Sequence, residues 1–279
     1  MSALRLPELF GVKDKVVVIT GGGRGIGKMM ASGFVQNGAK VYIASRNLKA
    51  CQATADELNA NGPGQCFALQ ADLVTEDACK KLAKEIAKKE TKVDVLINNS
   101  GVGWGGDVNH HPEKAWNKVL TVNVTSPFHI VRYFLPMLDA AAASSDAARV
   151  INIGSVAGLM PQQIETIAYD TSKAAIHHMT RALAAKLARR PNGGHILVNA
   201  IAPGLVPSKL STGIAYVTGK SFEELQKNIP IERYGNEVDM AGIAIFLASK
   251  ASGWITGMVI ASDGGQVFTM ETGFEPAKL

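Results

Sequence analysis

Short apolar runs alternate with longer segments of helical periodicity along most of this chain. The runs are rich in β-branched residues and end at glycine or polar positions, a pattern that predicts strands buried on both faces of a sheet. They occupy residues 15–20, 41–45, 66–70, 93–97, 149–153 and 196–201, and a last short strand is predicted at 258–261.

The segments between these runs have the periodicity of amphipathic helices. Residues 75–90 show it clearly, because Ala78, Leu82, Ala83 and Ile86 form a single apolar stripe. Strands that alternate with single helices form βαβ units, so we predict an α/β fold with one Rossmann-type, doubly wound parallel sheet of about seven strands and helices on both faces. No repeat or low-complexity linker interrupts the pattern, and we expect a single domain over residues 1–279.

Three segments have patterns that suggest a role beyond connecting or supporting the sheet. Residues 203–230 are irregular for longer than a connector needs, which favours a lid over a ligand. Residues 271–279 follow a glycine turn and are predicted to form a flexible tail. The predicted helix around 119–138 is apolar nearly all round, so we expect one side to face the sheet and the other a partner subunit.

The composition narrows the class of protein. The chain carries 29 Lys and Arg against 24 Asp and Glu, but the basic surplus is scattered and aromatic residues make up only 6%. A nucleic-acid surface concentrates both kinds of residue, so we expect no nucleic-acid partner. No apolar run is long enough to predict a membrane span. The adjacent histidines at 110–111 and 177–178 and the three separated cysteines make poor ligand sets, so no metal is expected.

A glycine-rich loop directly follows the first predicted strand and opens the next helix. It reads T-G-G-G-R-G-I-G over residues 20–27. Glycines let a pyrophosphate approach the backbone, and the helix N-terminus supplies free N–H groups. A glycine cluster can also be only a tight turn, but its place between strand and helix favours dinucleotide binding. The expected contacts come from Gly21, Gly23, Arg24, Gly25, Ile26 and Gly27.

The end of the second strand is expected to select between the two nicotinamide cofactors. An acidic residue there binds the ribose hydroxyls of NAD, whereas cations suit the 2′-phosphate of NADP. The strand ends in Ser45, Arg46 and Asn47 without a carboxylate, and Arg24 adds a second cation. This charge pattern favours NADP(H). In the alternative, Arg46 only lies beside a helix start that Asn47 caps.

Tyr169 and Lys173 have a spacing that places a phenol and an ammonium group on one helical face. Tyr216 and Lys220 share this spacing, but they enclose a glycine within the irregular stretch. Only the first pair leads into a strongly periodic helix and follows a strand that ends in Ser155, where open α/β sheets bind their ligands. Taken alone, the first pair could still be a buried tyrosine beside a solvated lysine.

These side chains have the chemistry of proton transfer. An ammonium group near a tyrosine is expected to lower the pKa of the phenol, which would let Tyr169 donate and accept protons near neutral pH. Asn123 precedes Pro127 by four residues, and a proline cannot donate a hydrogen bond to that carbonyl. The freed carbonyl could hold a water for a proton relay, although the proline could equally produce an ordinary kink.

Together these motifs resemble the short-chain dehydrogenase/reductase family along essentially the whole chain. The resemblance implies a catalytic tetrad of Asn123, Ser155, Tyr169 and Lys173. In it, Ser155 would orient a carbonyl and Tyr169 would protonate it. Lys173 would hold the nicotinamide ribose, and Asn123 would anchor a relay water.

The resemblance also extends the cofactor site. Asp72 resembles the acid that contacts adenine, and Val206 and Ser208 would bind the carboxamide. The further contacts that it implies are Asp72, Leu73, Asn99, Ser100, Gly101, Tyr169, Lys173, Pro203, Gly204, Val206 and Ser208. The chain departs from the family pattern at Ser100, where alanine is usual, and at Ser208, where threonine is usual. Ser155 and Tyr169 stand one position further apart than is common, which puts the shape of the loop 156–168 in doubt.

Within the family, residues 103–105 and 154–158 resemble 3-oxoacyl-[acyl-carrier-protein] reductases, including the rhamnolipid-type branch. An apolar substrate cleft could be lined by Trp104, Leu159, Met160, Leu205, Leu210 and Ile214, each of which could equally be scaffold. We therefore predict an NADPH-dependent carbonyl reductase that acts on a small-molecule ketone, with a 3-oxoacyl thioester as a candidate. The alternatives are an NADP-linked alcohol, steroid or polyol dehydrogenase and a non-catalytic nucleotide sensor, which would have no need of Tyr169. The resemblance and the apolar helix also predict a homotetramer, with a dimer as the alternative.

The sequence supports two predictions for the cellular compartment of the protein. The absence of an apolar leader predicts a cytoplasmic protein. The final residues, Ala277-Lys278-Leu279, resemble the S-K-L address of peroxisomal import, which would matter only in a eukaryote. A fluorescent tag at the N-terminus, with and without residues 277–279, distinguishes the two in a eukaryotic cell. Punctate signal that is lost on truncation supports the peroxisome, and diffuse signal from both forms supports the cytosol.

Overall fold

The computed structural model describes residues 4–143, 145–162, 164–208, 211, 219, 221–227 and 229–268. The predictions for Leu210, Ile214, Tyr216, Lys220 and the tail at 271–279 lie outside these residues. Among the described residues, no helix combines the length and apolar character that a membrane crossing requires.

Seven parallel strands form one sheet, which confirms the predicted fold class. The strands are β1 (Val16–Thr20), β2 (Lys40–Ser45), β3 (Gln65–Gln70), β4 (Val95–Asn98), β5 (Ala148–Ile153), β6 (Ile196–Pro203) and β7 (Val259–Ser262). Their order across the sheet is β3-β2-β1-β4-β5-β6-β7. The order reverses direction between β1 and β4, and α/β sheets bind ligands at such a point.

Helices cover both faces of the sheet. They are α1 (Leu6–Phe10), α2 (Gly25–Gln36), α3 (Leu48–Asn59), α4 (Glu76–Ala87), α5 (Glu113–Leu120), α6 (Ser126–Ala141), α7 (Ile167–Leu187), α8 (Phe222–Lys227) and α9 (Glu237–Ala248). A 3₁₀ turn, Val156–Gly158, follows β5. Parallel strands need such crossover helices, because each strand must return to the same end of the sheet before the next begins.

The sheet separates two apolar cores. Val17 and Ile19 of β1 belong to the core that contains residues of α2, α3 and α9, whereas Val16 and Val18 belong to the core with α4, α6 and α7. Successive side chains of a strand point to opposite faces, so a strand buried on both faces is apolar throughout. This explains why a continuous β-branched run predicted β1 correctly.

Two helices differ from the sequence prediction in ways that affect the site. The predicted helix around 119–138 is three pieces, because a π-helical turn, Thr121–Thr125, separates α5 from α6. The Ser126 N–H bonds the Thr121 carbonyl five residues back, and Pro127 has no N–H with which to restore the α-helical pattern. The periodic helix that the sequence predicted after the Tyr169 and Lys173 pair begins instead at Ile167, so its first turns carry both residues.

Candidate active site

The glycine loop turns between β1 and α2 through conformations that favour glycine. Gly21 and Gly25 have φ angles of +69° and +53°. A side chain at Gly27 would place its Cβ only 2.5 Å from Asn99 Nδ2 and from the Gly21 carbonyl oxygen. Glycine at position 27 therefore lets α2 pack directly against the end of β4, and this brings the loop to the middle of the sheet edge.

Thr20 and Asn99 lock the glycine loop to the loop after β4. The Thr20 hydroxyl accepts hydrogen bonds from the N–H groups of Asn99 and Ser100, both at 3.0 Å. Asn99 Nδ2 donates in return to the carbonyl groups of Thr20 at 2.9 Å and Gly21 at 3.1 Å. Of these residues, Thr20 was not among the predicted site residues, although its position directly before the glycines was a readable signal.

The N-terminus of α2 is built differently from those of α3 and α4. Asn47 caps α3 by accepting the Ala50 N–H at 3.0 Å, and Thr75 caps α4 in the same way. Arg24, at the start of α2, makes no side-chain cap. The first N–H groups of α2 therefore keep the donor capacity and partial positive charge that suit a phosphate.

Two exposed cations lie near this helix start. Arg24 is in the loop itself, and Arg46 follows β2 together with Ser45 and Asn47. Within the described part of the chain, neither arginine forms an ion pair. The backbone carbonyl of Arg24 accepts the Lys28 N–H, and that of Arg46 accepts from Gln70 Nε2, both at 3.2 Å. Both guanidinium groups are therefore placed to serve an anionic ligand.

The two cofactor contacts predicted after β3, Asp72 and Leu73, differ in their exposure to solvent. Asp72 is exposed, whereas Leu73 is buried in the core under α4 and α6. The Leu73 carbonyl accepts a hydrogen bond from the Ser126 hydroxyl at the start of α6. Asp72 is thus free of the core to meet a ligand, while Leu73 fixes the loop that carries it.

The ends of β6 and β7 close the other side of the glycine loop. A Cβ at Gly204, which follows Pro203, would overlap Gln266 Oε1, the group that accepts the Leu205 N–H. Val206 is buried. A Cβ at Gly25 would lie 3.5 Å from the Cβ of Ser208, so Ser208 faces the glycine loop. Two segments that the sequence analysis assigned to one cofactor site, residues 21–27 and residues 203–208, therefore meet at Gly25 and Ser208.

Ser155, Tyr169 and Lys173 come together where β5 meets α7. The Ser155 hydroxyl accepts the Ala157 N–H at 3.2 Å, and the Ser155 side chain acts to lower the pKa of the neighbouring Tyr169 phenol. Lys173 is buried, and its ammonium group donates to the Ile153 carbonyl at 2.9 Å. The Lys173 nitrogen lies 5.4 Å from the centre of the Tyr169 ring.

The pKa shifts in this cluster correct one expectation. Burial raises the pKa of Tyr169 to about 12, although the Ser155 side chain acts in the opposite direction. Burial lowers the pKa of Lys173 to about 8. The predicted lowering of the phenol pKa by the ammonium group is therefore wrong here. Burial of the phenol is the largest influence on its pKa. The ammonium group of Lys173 is bonded to the Ile153 carbonyl rather than to the phenol.

Asn123 lies in the π-helical turn and joins three parts of the site. Its amide accepts the Val102 N–H and donates to the Val102 carbonyl, both at 2.9 Å. It also donates to the Ser172 hydroxyl at 2.9 Å. A Cβ at Gly101 would lie 3.5 Å from Asn123 Oδ1 and 3.7 Å from Lys173 Nζ, so the loop after β4 approaches both residues.

Exposed apolar side chains lie on the loops that follow β4 and β5. Trp104, Leu159 and Met160 each expose more than a third of their surface. The loop 101–107 and the loop before α7 are tied by a hydrogen bond from the Gly106 N–H to the Glu165 carbonyl at 2.8 Å. Leu205 is half-buried on the other side. Three of the apolar residues named from the sequence therefore keep exposed surface on the loops that follow β4 and β5.

Two buried residues near the tetrad were missed as site residues. Ser172 accepts from Asn123 and donates to the Tyr169 carbonyl at 2.7 Å. His177 lies behind Ser155, whose N–H it accepts at 3.4 Å. Both follow Tyr169 at helical spacing, which was the available signal. In the sequence, His177 was considered only as a metal ligand. Among the described residues, no group of His, Cys, Asp and Glu side chains comes together as a metal site.

The sheet order, the glycine turn at its centre and the Ser, Tyr and Lys cluster beside it define a dinucleotide-binding oxidoreductase. The family model for short chain dehydrogenases matches residues 15–216. The chain belongs to the short-chain dehydrogenase family.

Several relatives share nearly the whole chain. It is 41% identical to the rhamnolipids biosynthesis 3-oxoacyl-[acyl-carrier-protein] reductase of Pseudomonas aeruginosa, over 92% of this chain and 97% of that protein. It is 32% identical to the 7alpha-hydroxysteroid dehydrogenase of Escherichia coli K12, over 91% and 94%. Among solved structures, the Pseudomonas aeruginosa RhlG/NADP active-site complex superposes with a TM-score of 0.86 at 40% identity, covering 93% of this chain and 99% of that one.

Proposed function

We propose that this chain is an NADP(H)-dependent carbonyl reductase. The observation that carries the proposal is the cluster of Ser155, Tyr169 and the buried Lys173, whose ammonium nitrogen lies 5.4 Å from the centre of the Tyr169 ring. This cluster stands at the carboxyl edge of the sheet beside the glycine turn. A protein that only sensed a nucleotide would have no use for a positioned proton donor.

The residues around the glycine turn suit a dinucleotide with a 2′-phosphate. The uncapped start of α2 offers N–H groups to the pyrophosphate, and Gly25 leaves space facing Ser208. Arg24 and Arg46 would pair with the 2′-phosphate, and the end of β2 offers no carboxylate to repel it. Asp72 would contact the adenine. Asn99, Ser100 and Gly101, with Pro203 through Ser208, would enclose the nicotinamide half.

When bound, NADPH would supply the hydride that the reduction needs, and the chain's own residues would supply the proton. Ser155 orients the substrate oxygen through its hydroxyl. Tyr169 then gives its phenolic proton to that oxygen, so the C=O group becomes CH–OH. A phenol with a raised pKa is fully protonated at neutral pH, which suits the reductive direction. Lys173 stabilises the phenolate that remains, and Asn123 holds the loop and helix through which a water can return the proton.

The pKa of Lys173 leads to a pH prediction. Its ammonium group loses its charge as the pH rises through about 8, whereas Tyr169 stays protonated until about 12. Ketone reduction should therefore slow above pH 8, which a profile of kcat/KM against pH measures. In Lys173→Arg any residual activity should lack this step, because a guanidinium does not titrate there. A wild-type profile that is flat through pH 8 contradicts the assignment.

The substrate proposal is a 3-oxoacyl thioester. It is supported by the exposed apolar side chains of Trp104, Leu159 and Met160 on the loops that follow β4 and β5 and by the similarity to the 3-oxoacyl reductase of Pseudomonas aeruginosa. Lys186 on the last turn of α7 and Arg189 just beyond it are candidates for steering an acidic carrier, whereas Arg190 is already paired with Asp139. NADPH absorbance should fall with 3-oxoacyl thioesters at a higher kcat/KM than with simple ketones.

The second candidate is an NADP-linked alcohol dehydrogenase of steroids or polyols, which the 7alpha-hydroxysteroid dehydrogenase relative favours. The same panel therefore includes a 7-oxosteroid and a polyol with NADP⁺. A higher kcat/KM for either of them than for the thioesters would replace the substrate proposal. Turnover of none of these compounds would contradict the reductase itself.

We also propose a homotetramer, which needs two different self-complementary surfaces. Trp254 is 100% exposed and Met258 53% exposed beside the edge strand β7, and Phe128 is 44% exposed on α6. Such side chains on separate faces are typical of interfaces. Light scattering at micromolar concentration should give four times 29.5 kDa, and Trp254→Glu or Phe128→Glu alone should give dimers. A wild-type monomer or dimer contradicts the proposal.

A further inference from the structure

His177 is a buried titratable residue that the proposed reaction does not use. It lies on α7 one turn beyond Lys173, and only 2% of its surface is exposed. Its neighbour His178, on the same helix, is exposed. Among the described residues, Nε2 of the buried ring has a hydrogen-bond partner whereas Nδ1 has none, so the contacts of Nε2 indicate its role.

The contacts of His177 lead directly to Ser155. Nε2 accepts the Ser155 N–H at 3.4 Å. A Cβ at Gly154 would overlap the same nitrogen atom. The two residues that directly follow β5 thus rest on the imidazole edge, and position 154 has no room for a side chain. The peptide that leads into Ser155 is held by one ring, whereas the Ser155 hydroxyl faces Tyr169.

The ring has to be neutral to make this contact, because a protonated Nε2 cannot accept a hydrogen bond. Burial lowers the pKa of His177 to about 4, and the positive charges of Lys173 and Arg181 act in the same direction. The backbone of Gly158 favours the protonated ring but does not outweigh burial. At neutral pH the ring therefore carries its single proton on Nδ1.

We propose that His177 is a positioning residue that holds the Ser155 peptide through Nε2 and thereby sets the direction of the Ser155 hydroxyl. The role rests on the proposed function, since it matters only if Ser155 orients a substrate carbonyl. The ring itself touches neither substrate nor cofactor. It acts through the β5 terminus, and Gly154 is the residue that allows it to approach.

Two substitutions separate positioning from packing. In His177→Gln the side-chain oxygen can take the place of Nε2 as acceptor, whereas His177→Leu fills the space without an acceptor. We expect His177→Leu to lower kcat by at least about tenfold, while His177→Gln stays within about threefold of wild type. The Kd for NADPH should be unchanged in both variants. His178→Leu is the matched control and should keep wild-type kcat.

Equal kcat in His177→Leu and His177→Gln would overturn the proposal, because an acceptor would then make no difference. A second measurement needs no variant to fold and no substrate. Nitrogen NMR of histidine-labelled wild type should show His177 as the neutral tautomer protonated at Nδ1 from about pH 6 to about pH 8. A cationic ring or the Nε2–H tautomer in this range would overturn it even if the chain proves to be a reductase. If no ketone is reduced, the proposed function fails independently of this spectrum.

Discussion

Tyr169→Phe is expected to abolish ketone reduction while NADPH still binds. The substitution removes only the phenolic oxygen, so the ring keeps its place on α7 beside Lys173. Loss of a positioned general acid typically lowers the rate by about 10² to 10⁴. The measurement is kcat from NADPH absorbance, with the Kd for NADPH from fluorescence titration in the same preparation.

Two controls test whether this effect belongs to the site. Tyr133 lies on α6, and its hydroxyl donates to Glu76 at 2.5 Å on the surface of the molecule, so Tyr133→Phe should leave kcat within about twofold. Tyr216→Phe tests the second tyrosine that has a lysine four residues later, and it should change kcat far less than Tyr169→Phe. Wild-type kcat in Tyr169→Phe would remove the basis of the proposed mechanism.

The sheet and the glycine loop could be predicted from the sequence because both depend on local rules. A strand buried on both faces must be apolar at consecutive positions, as β1 is. The loop requires glycine at positions 21, 25 and 27 for φ angles or close approach that other residues would resist. In both cases the structure depends on the residue types at neighbouring positions of the chain.

The helix boundaries were harder to predict. The start of α9 has a local signal that our prediction did not use: Asn236 and Asp239 form a reciprocal capping box. The π-helical turn has no comparable signal beyond Pro127. It depends on the contacts of Asn123 with Val102 and Ser172, which join segments far apart in the sequence.

The ionisation of the site could not be predicted either. Whether Lys173 lowers the pKa of Tyr169 depends on how deeply both groups are buried and on what the ammonium group bonds. Here it donates to the Ile153 carbonyl. The role of His177 follows from its overlap with any side chain at Gly154, a long-range contact that an adjacent pair of histidines does not reveal. Burial and tertiary contact decide these properties, and neither has a fixed spacing in the sequence.

Arg46→Asp is expected to change the choice of cofactor. The guanidinium is exposed at the end of β2 and forms no ion pair within the described residues. Its removal therefore breaks no ion pair among them. A charge-assisted bond to a phosphate contributes about 1.5 to 3 kcal/mol, which corresponds to about tenfold to a hundredfold in Kd. The new carboxylate also repels the 2′-phosphate, so NADPH should weaken by about a hundredfold or more. NADH lacks that phosphate and should weaken by less than about threefold.

The matched control for Arg46→Asp is Arg189→Asp, which makes the same change of charge on an exposed arginine beyond the end of α7. Because α7 begins at the site with Tyr169 and runs away from it, this control reports only the effect of net charge on an anionic ligand. It should weaken NADPH by less than about twofold at physiological salt. The decisive quantity is the ratio of the Kd values for NADH and NADPH in each variant. If Arg46→Asp leaves that ratio at its wild-type value, Arg46 does not contact the 2′-phosphate, and the preference for NADP(H) would have to rest on Arg24 alone.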